Sequence, residues 1–119
     1  MKTFGYFPKN SPLDEYIALI WELEGKKNCT ELILPSGIIE IVFNLSDPMS
    51  ATFPDGTRVD KAPRCFIQGI HTQVIEVEYK ERHHLFGVRL KPFAVRNLLG
   101  VLPAEISNRA VDLTLLRTD

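Results

Sequence analysis

Apolar and polar residues change period once within residues 85–100, and the chain is organised around that change. Phe86, Val88 and Leu90 alternate with Gly87, Arg89 and Lys91, the two-residue period of a half-buried strand. Pro92 ends the ladder, because it lacks an N–H and its fixed φ suits a first helical position. Beyond it Val95, Leu98, Leu99 and Leu102 recur at i, i+3, i+4 and i+7, one face of a short helix stopped by Gly100 and Pro103. A helix this short holds only by packing that face on something larger. Phe93 stands at the corner, and if that side chain is fully buried its replacement by alanine costs roughly 3–5 kcal/mol.

The rest of the chain reads in order. Residues 1–12, with Gly5, Pro8 and Pro12, form an irregular lead-in. Leu13, Tyr16, Ile17, Ile20 and Trp21 have helical spacing, with Ser11 as N-cap, Pro12 at the first position and Glu15 completing a capping-box pattern. Ile17, Leu19, Trp21 and Leu23 also alternate, so the expectation is a helix giving way to a strand within 18–21. Residues 25–28 turn, and 31–34 make a short strand stopped by Pro35-Ser36-Gly37.

Residues 38–45 are the strongest strand, β-branched and apolar enough to be central and buried on both faces, so Glu40 inside it needs solvent or a partner. Residues 46–60 connect, with an edge hairpin at Pro54-Asp55-Gly56. A strand over 65–70 ends at Gly69. Residues 72–79 set Val74, Glu76 and Glu78 against Ile75, Val77 and Tyr79, and the charged turn 80–83 joins them in a hairpin to 84–90. A capped turn at 103–108 and the start of a helix at 111–116 complete the chain. The fold class is mainly β with peripheral helices (α+β), an antiparallel small barrel or sandwich.

Composition narrows the function. A length of 119 residues makes one domain, and a net charge of −1 with 24% charged residues argues against a basic nucleic-acid-binding face. No apolar run is long enough to span a bilayer, and the N-terminus lacks a signal pattern. Cys29 and Cys65 form no C-x-x-C pair and read as reduced thiols of a cytoplasmic protein.

Candidate chemistry is sparse. His83 and His84 are adjacent, so on a strand they point to opposite faces and cannot share a metal. His71 with either of them and Glu76 or Glu78 is the barrel site these residues allow, but the H-x-H pair of metal-binding small barrels is missing. The histidines therefore read as solvated turn residues, with no metal and no cofactor expected. No G-x-S-x-G elbow or phosphate-cradling glycine loop occurs, and Glu76 and Glu78 read as the wet side of a hairpin, so no enzyme is expected. Trp21, Phe43, Phe66, Tyr79 and Phe86 are distributed to line a barrel interior, as a ligand pocket or as plain core. Arg89, mid-strand, is placed to pair with Glu40 or Glu76 or to meet an acidic ligand. The pocket set is Trp21, Glu40, Phe43, Phe66 and Arg89.

Several motifs hold a common order: Pro12-Leu13 through Tyr16-Ile17 to Trp21-Glu22, then Leu34-Pro35-Ser36-Gly37 with Glu40-Ile41-Val42-Phe43-Asn44-Leu45. Phe66-Ile67 with Gly69, Gly87 through Pro92, Leu98-Leu99-Gly100, Pro103-Ala104-Glu105, Asn108 and Val111-Asp112-Leu113 follow. This order resembles the N-terminal domain of a group of AraC-type bacterial transcription regulators and spans nearly the whole chain. Ser36 stands where that pattern often has Asp, and Phe93 where a small residue is common.

The resemblance implies a non-catalytic N-terminal regulatory domain over 1–119 that senses a small-molecule effector or dimerises. A C-terminal helix-turn-helix pair, outside this chain, would contact DNA. By analogy with better-known AraC-type sensors the barrel would be cupin-like. Val95, Leu98, Leu99 and Leu102 are then candidates for a homodimer interface rather than core. The alternative is a free-standing small-barrel metal-binding protein or enzyme. No membrane partner is expected.

Overall fold

The computed structural model describes residues 2–115. Ten strands form among the described residues: β1 Lys2–Tyr6, β2 Ile17–Gly25, β3 Cys29–Ile33, β4 Ile39–Asn44, β5 Ser50–Thr52, β6 Arg58–Val59, β7 Cys65–Gln68, β8 Ile75–Tyr79, β9 His83–Leu90 and β10 Ala110–Asp112. One α-helix, α1, spans Pro92–Leu99. The strands make two antiparallel sheets, a larger one in the order β1-β2-β9-β4-β7-β10 and a smaller one in the order β3-β8-β5-β6. None of the described helices is long and apolar enough to cross a membrane.

Two clusters of buried side chains lie on opposite faces of the larger sheet. On one face Leu23, Val42, Phe66 and Leu85 meet Ile75, Val77 and Tyr79 of the smaller sheet, with Met49 between. On the other, Ile39, Ile67 and Leu90 pack beneath Ala94 and Val95 of α1 and Ile106. Ile67 is fully buried, a position that stabilises by about 1.5–3 kcal/mol. The strand-to-helix corner forms as the period change requires. Pro92 opens α1, and Gly100 closes it at φ 68°, its N–H donating to the Arg96 carbonyl.

Several expectations are corrected. Residues 2–6 are not an irregular lead-in but an edge strand, because β2 offers them a full antiparallel register from Lys2↔Glu24 to Tyr6↔Ile20. The helix expected from Leu13 shrinks to one 3-10 turn, Pro12–Glu15, capped by the Ser11 hydroxyl. The alternating register then wins from Ile17, since both edges of β2 find partners. β8 and β9 are sequential but form no hairpin: β8 pairs with β3 and β5, β9 with β2 and β4, and residues 80–82 carry the chain between sheets. The helix expected over 111–116 is instead β10 followed by a 3-10 turn, Leu113–Leu115, because β7 has a free edge that β10 fills. Leu116 lies outside the described residues.

β4 is central, between β9 and β7, but not buried on both faces: Phe43 is 38% exposed, on the face of Ile39 and Ile41 but at the end that α1 leaves uncovered. Phe93 is 46% exposed and tilts against the Tyr16 ring, centroids 6.0 Å apart. Phe93→Ala is therefore expected to cost about 1 kcal/mol, the scale of one aromatic contact, as read from a urea unfolding midpoint. Val95, proposed for an interface, is fully buried, and Leu99 is half-buried in the same cluster, whereas Leu98 and Leu102 are 46% and 47% exposed.

Candidate functional site

β9 carries apolar residues on both faces, and the face holding Gly87 and Arg89 is not the wet one. Val88 and Leu90 pack toward α1, while Leu85 and Arg89 face the smaller sheet. Gly87 sits opposite Trp21 in the register, and the indole lies across it. The two sheets do not close on each other there. A cavity of about 550 Å³ remains, walled by Trp21, Glu40, Val42, Phe66 and Arg89 of the larger sheet and by Glu31, Val77 and Tyr79 of the smaller. A second, of about 540 Å³, lies toward the β5–β6 hairpin and shares Met49, Phe66, Gln68, His71 and Val77 with the first. The first opens to solvent on one side, where Leu32, Leu34 and Ile38 of its rim are exposed.

The charged groups around the first cavity are paired. Arg89 and Glu40 are cross-strand neighbours, and Arg89 Nε donates to Glu40 Oε1 at 2.6 Å. The Tyr79 hydroxyl donates to Glu31 at 3.3 Å. Burial, then that carboxylate, pushes the phenol far above its usual range and keeps it a neutral donor. Glu22 is taken up by His84, whose Nε2 lies 2.5 Å from it.

Three buried nitrogens of the cavity walls have no partner: Trp21 Nε1 and both ring nitrogens of His71. His71 is 4% exposed, held by its backbone, which exchanges hydrogen bonds with Ser36 at 3.0 and 3.1 Å. Burial lowers its pKa below 6.5 and leaves it neutral near pH 7. The unfolded ring protonates where the folded one does not, so the unfolded state binds more protons just below that value. Stability from this group is complete above about pH 6.5 and falls on acidification, by at most about 1.4 kcal/mol per pH unit. His71→Phe is expected to remove this part of the pH dependence of Tm, and unchanged slopes in the two proteins would contradict it.

Of the pocket candidates, Trp21, Glu40, Phe66 and Arg89 line the cavity together, as does Tyr79. Phe43 and Phe86 do not, because the alternation of β4 and β9 turns them to the outer face beside His84. The histidines are not solvated turn residues: His71 and His83 are buried, and only His84 is partly exposed. His83 Nδ1 meets the Lys80 carbonyl and its ring stacks on Tyr79. Among the described residues the converging set of metal-type donors is Glu22, Glu24 and His84 on the outer face, all within 4.8 Å. It includes neither His71, Glu76 nor Glu78. Glu78 is instead held by Arg58, which lowers its pKa. Burial raises the Cys65 thiol, the opposite of what a nucleophile requires.

The spacing carries no signal for His71 or Met49 as wall residues, since both lie outside the strands, whereas Gln68 shares the Phe66 face of β7. A family model described as a domain of unknown function (DUF6597) matches residues 6–112, and the chain belongs to that family. No curated protein and no solved structure matches the chain.

Proposed function

We propose that this member of the DUF6597 family is a non-catalytic small-molecule-sensing domain that binds its effector between the two sheets. The cleft of about 550 Å³ between the two sheets, with polar groups on apolar walls, carries the reading. Its place in a regulator of AraC type, with a cupin-like barrel and a DNA-binding part elsewhere in the full protein, rests on the motif order from Leu34 to Leu113. Ligand binding would then bias the DNA-binding part through an energetic coupling between two sites. Thermal shift against a metabolite library tests it, because a ligand that binds only the folded state raises Tm. Trp21, the single tryptophan, lies in the cavity wall and reports the same event by fluorescence. A ligand that raises Tm and shifts Trp21 emission supports the reading; a library without such a ligand overturns it.

Self-association through α1 is the second reading, favoured by the exposure of Leu98 and Leu102. Leu98→Asp is expected to leave the fold intact by circular dichroism, since the side chain is 46% exposed and most surface changes alter the stability of a folded chain by only about 0.5 kcal/mol. If the native domain sediments as a dimer, the variant should sediment as a monomer; a dimer unaffected by it places the interface elsewhere.

A further inference from the structure

We propose that the inter-sheet cavity selects an uncharged, elongated ligand carrying a neutral hydrogen-bonding head of amide type, and rejects anions and cations of the same body. The inference rests on the cavity being a binding site and adds the chemistry it recognises. Every ionisable side chain that faces the first cavity except His71 already has a partner: Arg89 with Glu40 and Tyr79 with Glu31, while Glu22 turns to His84 on the outer face. A ligand carboxylate reaching Arg89 would lie beside the Glu40 carboxylate, which already holds Arg89 Nε, and would meet like charge there. An ammonium reaching Glu40 would likewise lie beside the Arg89 guanidinium. The pair is neutral as a whole, so a charged ligand head gains no net counter-charge from it while losing its own hydration.

What the walls leave unpaired is neutral. Trp21 Nε1–H is a donor, and the neutral His71 ring has one donor and one acceptor, all shielded from solvent. Buried polar groups without partners are costly, so a ligand supplying both an acceptor and a donor gains from satisfying them. A carboxamide has both, with no net charge. At the far rim Asp55 is occupied with Thr57, and Arg109 is exposed. The shape follows from His71, which stands with Gln68 where the two cavities adjoin. The head group belongs at this waist, and the apolar body extends toward Phe53, Val59 and Ile75.

The test uses phenylbutyramide, phenylbutyrate and phenylbutylamine, which share one body and differ in the charge of the head. Affinity is read from Trp21 emission and from Tm at neutral pH. The amide should bind about ten-fold or more tightly than either charged analogue, a modest share of the cost of burying a charge. His71→Phe keeps the ring volume but removes both nitrogens, and should abolish the amide's advantage. His71→Gln restores a donor and an acceptor, and should keep it, so a poorly folding phenylalanine variant leaves the test intact. Tighter binding of phenylbutyrate or phenylbutylamine would overturn the neutral-ligand inference while leaving the cavity a binding site. No change in Tm or emission with any of the three would overturn the inference and the binding site together.

Discussion

Alanine at Gly87 should lower the stability of the domain by roughly 2–3 kcal/mol and push the Trp21 indole out of the cavity wall. A Cβ at Gly87 would lie 1.8 Å from Trp21 Cε2 and 2.1 Å from Cζ2, far inside contact distance. The two residues are direct cross-strand partners in β9 and β2, so neither backbone can shift without breaking the register on both sides. The bicyclic ring is rigid and has only two side-chain torsions, so it must rotate away rather than bend. Red-shifted tryptophan emission together with a lower urea midpoint is the expected pair of results. Native emission in a fully stable Gly87→Ala protein would show that the indole does not lie across β9. Because Trp21 borders the cavity, the same variant should also lose ligand affinity.

Gly69→Ala should be at least as damaging, with a loss of roughly 3 kcal/mol or more, because the obstacle is backbone. Its Cβ would sit 1.9 Å from the Ile106 carbonyl oxygen and 2.6 Å from the carbonyl carbon. The segment after Ile106 is strapped down: Gly69 N–H donates to Arg109 O at 3.0 Å and Asn108 N–H to Ile70 O at 2.7 Å. Asn108 adopts φ 58° and accepts from the Thr72 N–H and hydroxyl, so the strap is fastened at its turn as well. Retreat of Ile106 would break these bonds and open the core beneath α1, where Ile106 is 2% exposed. Chemical denaturation followed by circular dichroism checks this, and a midpoint equal to that of the native domain would contradict the close approach.

Local chemistry made much of the fold legible. The strands over 39–44, 65–68, 75–79 and 83–90, the hairpin at Pro54-Asp55-Gly56 and the Pro92 to Gly100 helix all follow from period, turn residues and caps. The failures share one cause. β1 and β10 are strands, and β2 starts already at Ile17, because a partner edge was available, and no residue within 2–6, 13–17 or 110–112 announces that edge. Of the candidate site, the Glu40–Arg89 pair was legible because a charge in each of two apolar strands requires a partner. His71 was not, because its burial arises from the Ser36 bridge, thirty-five positions away by their numbering.

By itself, then, the amino-acid order determined the central strands, where α1 starts and stops, and which residues of a strand share a face. It did not determine what covers each face. The two-residue period of β9 separates Gly87 and Arg89 from Phe86, Val88 and Leu90, but it is silent on which side meets water. Only the tertiary structure decided that, by placing α1 over part of the apolar side and a second sheet over the other. The side that reads as polar became the inside, with a glycine to admit an indole and an arginine neutralised by its neighbour, and that inversion built the cavity. Periodicity records a difference between two faces; burial is settled by whatever else the chain brings against them.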